Sequence, residues 1–216
     1  MGLEERRKRE KESRKTAILK AARKLFFEKG FKPVTVESIA KKAELSKGSV
    51  YLYYNSKEEI YAQILLNDIE KFNRKIENLF HNGDPAPDIL YKLSNIYIDF
   101  FLHDTELFRI LVTYMLHTED MNLSEEVNHH IIKMTNVAIT IIEKIFQYGI
   151  EKGDFPHTVN LRQNRNAIWG LLNGIIALHL FTGDVATREE RIRSTVRATL
   201  QTYVRGLSDV NTRAKA

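Results

Sequence analysis

Apolar residues recur three and four positions apart along nearly the whole chain, and the strict alternation of a strand is hard to find. That pattern predicts an all-α protein of about nine helices. The first spans 13–29, with Ile18, Ala22, Leu25 and Phe26 as its apolar stripe. Gly30 ends it in a left-handed conformation, and Phe31 folds back on Phe26. Thr35 caps a short helix over 36–43 that turns Val36, Ile39, Ala40 and Ala43 inward. After a break at 44–46, Ser46 caps a third helix over 47–53. Ser56 and Glu59 form a capping box that starts a long fourth helix, reaching about Phe80. The segment His81–Pro87, HNGDPAP, is the clearest punctuation in the chain. Helices over 88–102, 105–117, 125–152, 161–182 and 188–206 follow, and 208–216 reads as a frayed tail.

Charge changes this picture. The first 57 residues hold 16 Lys and Arg against 7 Asp and Glu, and the rest hold 17 against 21, so the net +5 is a +9 head on a −4 body. A basic patch confined to one module is the footprint of a polyanion partner. A solvated basic tail is the plainer reading of the first dozen residues. Composition adds exclusions. With no cysteine among 216 residues, disulfides, thiolate zinc sites and a cysteine nucleophile are out. The N-terminus has no apolar core of a signal peptide. The longest apolar run, 168–181, is broken by Asn173 and His179 and is too short for a bilayer. A cytoplasmic protein with no membrane partner is expected.

The chemistry concentrates in LSKGSVYLYYNSKEE, 45–59. Two short helices joined by a tight turn and packed on a longer one make a helix-turn-helix. A recognition helix lies in the major groove with its first residues against base edges. Gly48 there, two residues after the cap Ser46, lets the backbone approach closely despite a propensity cost of about 1 kcal/mol. Val50 and Tyr54 share a face and pack inward with Leu45, leaving Lys47, Ser49, Tyr51 and Tyr53 outward. Lys47 suits guanine O6/N7, Ser49 either kind of base edge, and the two phenols suit phosphate and sugar. Thr35 and Lys57, at the starts of the flanking helices, are placed for phosphates.

These residues carry a resemblance. Gly30-Phe31, Thr35, Ile39-Ala40, Ser46-Lys47-Gly48, Val50-Tyr51, Tyr53-Tyr54 and Ser56-Lys57-Glu58 resemble the DNA-binding module of the TetR family of bacterial repressors, over roughly residues 13–65. It implies DNA contacts at Thr35, Lys47, Gly48, Ser49, Tyr51, Tyr53 and Lys57, and Ser46 joins them in the candidate DNA-binding set. The chain departs from the family pattern at Glu44-Leu45, where Gly-Val is usual, and at Tyr54, where Phe is usual. Glu44 must then accept a strained turn.

The body holds no Gly-rich phosphate loop, HExxH or nucleophile elbow. His129 and His130 are adjacent, so they point apart on a helix and share no metal simply; neither metal nor cofactor is expected. The resemblance implies a middle-helix cavity for a small hydrophobic or amphipathic effector. Its candidate lining is Phe100, His103, Phe108, Tyr114, Met115, His117, Met134, Trp169 and Asn173, most of which also suit plain core. It also implies a homodimer whose last two helices form a four-helix bundle. Gly170 and Gly174, four apart and costly inside a helix, suggest close helix approach across a dimer or within the protomer. Ile192, Val196, Leu200 and Tyr203 make the last helix's stripe. The expected organisation is a basic arm at 1–12, a DNA-binding domain at 13–57, an effector and dimerisation domain at 58–208, and a tail at 209–216. The expected function is that of a ligand-responsive repressor bound to a pseudo-palindromic operator, not an enzyme. An all-α enzyme or carrier, and a non-specific nucleoid-type binder, are the alternatives.

Overall fold

The computed structural model describes residues 2–80, 83–102, 104–117, 119–121, 123–180 and 182–213. Its elements are α1 (Leu3–Lys29), α2 (Val36–Lys42), α3 (Lys47–Tyr51), α4 (Lys57–Ile76), α5 (Ala86–Leu102), α6 (Thr105–His117), a 3-10 turn (Glu119–Met121), α7 (Glu125–Lys152), α8 (Leu161–Leu180) and α9 (Arg188–Arg213). No strand occurs among the described residues.

Most ends follow the predicted chemistry. Gly30 takes φ 77°, ψ 176°, a region nearly closed to residues with a Cβ, and its N–H donates to Phe26 O. Phe31 then stacks on Phe26 at 5.7 Å. Thr35 Oγ1 accepts the Ser38 amide while Ser38 Oγ accepts the Thr35 amide. Ser56 Oγ accepts the Glu59 amide, and Glu59 reaches one residue further back than a capping box requires, to the Asn55 amide at 2.7 Å.

Four ends differ. α1 starts at Leu3, not 13, because the charged stretch supports a helix: Glu4 and Glu5 sit in its first turn, and Glu10–Arg14 pair one turn apart at 2.6 Å. α3 stops at Tyr51, where the Tyr53 and Tyr54 amides both turn back to Val50 O. α4 stops at Ile76, short of Phe80. α9 continues to Arg213, through the segment expected to fray.

Contacts divide the chain into two compact units. The first is Met1–Asp68 with Glu106–Lys133, the second Ile69–Thr105 with Met134–Ala216. α6 and the first turns of α7 therefore group with the helix-turn-helix. The first unit buries Ile18, Ala22, Ile39, Val50, Ile60, Tyr61, Leu65 and Phe108. Three polar ties hold α6 there. Tyr61 donates its hydroxyl to Ile110 O, and Arg109 Nη1 donates to Phe27 O at 3.0 Å. Arg23 on α1 meets Asp68 on α4 at 2.7 Å and Glu106 on α6 at 3.8 Å.

In the second unit α9 packs on α5 and α8. Its core includes Leu90, Leu93, Tyr97, Phe101, Phe146, Leu172 and Ile176. Gly149 on α7 went unremarked in the sequence pattern, yet a Cβ there would stand 2.3 Å from Phe155 Cδ2 and 2.7 Å from Ala86 Cβ. Only glycine lets α7 pass that close to the Phe155 ring.

Candidate nucleic-acid interface

The turn between α2 and α3 closes as a Schellman motif. The Leu45 amide donates to Ala40 O at 2.9 Å and the Glu44 amide to Lys41 O at 3.3 Å. That geometry demands a left-handed residue, and Glu44 supplies it at φ 57°. The strain expected of Glu44 is present, and its side chain is exposed.

Ser46 starts α3 by accepting the Ser49 amide at 3.0 Å, and the two hydroxyls share a further bond at 2.8 Å. Val50 and Tyr54 are buried and Leu45 half-buried, so α3 is pinned by its inner face. Burial first, then the carboxylates of Glu59 and Glu12, push the Tyr54 phenol up to about 12. It is a neutral packing group, which is how a tyrosine fits where phenylalanine is usual.

The outer face carries the candidates. Thr35, Ser46, Lys47, Gly48 and Tyr51 are exposed, and Ser49 and Tyr53 half-buried. A Cβ on Gly48 would meet nothing nearer than Ser46 Oγ at 3.9 Å. The protein's own packing does not require that glycine, so its reason lies outside the chain. Leu52, absent from the predicted set, is 77% exposed beside Tyr51 at 46%. A helix ending at Tyr51 releases Leu52 from any inward face, which a helix drawn to 53 conceals.

Lys57 sits differently from expectation. Its Nζ donates to Phe31 O at 3.1 Å and Lys32 O at 3.0 Å, and lies 4.5 Å over the Phe31 ring. It closes the α1–α2 loop onto the start of α4, leaving one of three ammonium donors for anything outside. No sequence motif signals this tie.

The effector candidates fall in both units. Phe108, Tyr114, Met115 and His117 belong to the first unit, and Phe100, Met134, Trp169 and Asn173 to the second; His103 lies outside the described residues. Phe108 is fully buried, Tyr114 donates to Asn128 Oδ1 at 2.6 Å, and Met115 is exposed. His117 edges a cavity of about 360 Å³ with Phe31, Lys32, Arg109, Thr113 and Met121. In the second unit Tyr97 organises the group, although no sequence signal marks it. Its hydroxyl donates to Asn173 Oδ1 at 2.9 Å, and its ring meets Trp169 at 5.5 Å, Phe72 at 5.5 Å and Phe101 at 4.8 Å. Asn173 Nδ2 donates to Trp169 O at 2.8 Å. Met134 offers its carbonyl to Asn73 Nδ2 at 3.2 Å.

The dimer candidates split as well. Gly170 and Gly174 are exposed, and a Cβ on either would meet nothing within 4 Å. Packing inside the protomer therefore does not explain them. Ala167 and Leu178 lie exposed on the same face of α8. Ile192, Val196 and Leu200 need correction: they are 0%, 3% and 0% exposed, so α9's apolar stripe is spent inside the protomer. Tyr203 is half-buried and donates its hydroxyl to Asn164.

Two family models match this chain: bacterial regulatory proteins, tetR family, over residues 18–64, and the YsiA-like protein C-terminal region over residues 67–185, more than half of the chain. IcaR of Staphylococcus epidermidis, the negative transcriptional regulator of the biofilm operon icaADBC, is 28% identical over 68% of this chain and 78% of its own. Among solved structures, the TetR family transcriptional regulator PfmR of Thermus thermophilus superposes with a TM-score of 0.72 at 24% identity, covering 87% of this chain and 94% of its own. FadR of Bacillus subtilis, in complex with stearoyl-CoA, superposes with a TM-score of 0.66 at 22% identity, covering 84% and 97%. These two structural likenesses speak to the fold.

Proposed function

The chain belongs to the TetR family and is a DNA-binding transcriptional regulator, and from that premise we propose that it is a homodimeric repressor of a pseudo-palindromic operator, released by a small hydrophobic or amphipathic effector. The observation that carries this reading is α3 itself. Its inner face is fixed by Val50 and Tyr54, while Lys47, Gly48 and Tyr51 stand outward and no internal contact explains Gly48. Lys47 and Ser49 read bases, and Thr35, Tyr51 and Tyr53 hold phosphate and sugar. Lys57 acts mainly by holding the α1–α2 loop to α4, with one donor left for phosphate.

One such module makes too few contacts for a specific site, and two on a two-fold axis double them. The open glycine face of α8 supports that pairing. The repressor reading draws on IcaR, a negative regulator by description. The effector reading draws on the aromatic group around Tyr97 and on FadR, solved with stearoyl-CoA. Release requires an effector that binds the DNA-incompetent state more tightly. Within the unit that holds the reading head, α6 is tied to α1 and α4 through Arg23, Tyr61 and Arg109. Among the described residues no helix is long and apolar enough to cross a membrane.

Genomic footprinting tests the reading. We expect protection of a few palindromes, fading steeply as salt rises. Protection spread evenly over sequence would indicate a packaging protein, and no protection at low salt would remove DNA as the partner.

A further inference from the structure

The helical start of α1 has no packing purpose. Residues 4–13 are all exposed, and the first buried position is Ile18. A short polar helix alone in water is marginal. This one persists as a continuation of the packed part of α1, with the Glu10–Arg14 and Glu12–Lys15 pairs beside it. Its charges are not random. Arg7, Lys8, Lys11, Arg14 and Lys15 recur at spacings of three and four, in register with Ile18, Ala22 and Leu25 further along the same helix. The stripe that is apolar where α1 packs becomes basic where α1 leaves the core. Among the described residues Arg7, Lys8 and Lys11 make no ion pair. Residues 3–15 hold seven basic against four acidic side chains. At the base of the rod, the Glu12 carboxylate is one of the charges that raise the Tyr54 phenol, after burial and Glu59.

We infer that residues 3–15 of α1 are a second DNA-contacting element, a helical rod whose Arg7, Lys8 and Lys11 bind backbone phosphates beyond those met by α3. This inference rests on the DNA-binding reading above and extends it. At 1.5 Å per residue the rod is about 20 Å long, enough to pass several phosphates spaced about 3.4 Å along the duplex axis on each strand. Arginine and lysine here add affinity and orientation, not sequence preference. Arg14 and Lys15 are shared with Glu10 and Glu12, so the free cations nearer the start of the rod contribute most.

The experiment compares three forms of the full chain: the unaltered protein, Arg7→Gln/Lys8→Gln/Lys11→Gln, and Lys133→Gln/Lys144→Gln/Arg162→Gln. The last makes the same change in net charge on α7 and α8. Glutamine keeps helix propensity close to that of lysine and arginine, and far-UV circular dichroism checks that all three are folded. Binding to a random-sequence duplex is followed by fluorescence anisotropy across a salt series. Each phosphate contact contributes roughly 0.9 to the slope of log K against log salt. The arm variant is expected to lose about 2–3 from that slope, and the α7/α8 variant less than about 0.5. Steep binding by the unaltered protein with no change in the arm variant would overturn the arm alone. Equal losses in both variants would overturn it too, as a plain net-charge effect. No binding to duplex by any form would sink the arm together with the DNA-binding reading.

Discussion

Asp68→Ala is expected to destabilise the protein by about 3–5 kcal/mol, the usual cost of breaking one side of a buried ion pair. Asp68 is 2% exposed on the inner face of α4, and Arg23 of α1 donates to its Oδ2 at 2.7 Å. Removing the carboxylate takes away the acceptor that Arg23 meets at 2.7 Å; its contact with Glu106, at 3.8 Å, is longer. Asp68→Asn keeps an acceptor and loses only the charge, so its cost should be smaller. Urea unfolding followed by circular dichroism reads both, with the midpoint falling and the m-value unchanged. A loss below about 1 kcal/mol in the alanine variant would mean that the pair behaves like a surface bridge.

Gly174→Arg should separate assembly from folding. Inside the protomer the new side chain meets nothing within 4 Å of its Cβ, and arginine is a better helix former than glycine by about 0.8 kcal/mol. The protomer should therefore fold as well as before or slightly better. Across a two-fold axis through α8 the same side chain puts bulk and charge where close backbone approach is needed. Sedimentation should find a single chain. Affinity for a two-half-site duplex should fall by roughly 10²–10⁴-fold as linked binding is lost. A variant that remains a dimer with full affinity would place the interface elsewhere than on this glycine face.

How much of this was legible in sequence depended on whether the signal was local. The helices read well because caps and breakers act over three or four residues: Thr35 with Ser38, Ser46 with Ser49, and Gly30 with Phe31 all appear as their spacing implies. The exposed face of α3 followed from helical periodicity, with Val50 and Tyr54 inward. What escaped was non-local. Asp68 stands in the apolar run of α4, but its partner lies 45 residues away on α1. Gly149 is explained only by Phe155 and Ala86 meeting it from two directions. The tie from Lys57 to the α1–α2 loop was hidden because the carbonyls that accept from it lie 25 and 26 residues earlier. Ile192, Val196 and Leu200 showed a clean stripe, and a stripe says only that something covers it; α5 and α8 of the same chain do. The start of α1 failed for the opposite reason: a helix without an apolar face leaves no hydrophobic period to read.

Binding selection from a random duplex library, run with the unaltered protein and with Lys47→Ala, probes most directly whether a doubled α3 reads the major groove. The unaltered protein should enrich one two-fold symmetric site with half-site centres one helical turn or a multiple apart. Lys47→Ala should relax one position in each half-site, losing about 1–3 kcal/mol of discrimination. Enrichment of no sequence, of an asymmetric one, or of the same symmetric site with unchanged preference in Lys47→Ala would contradict it.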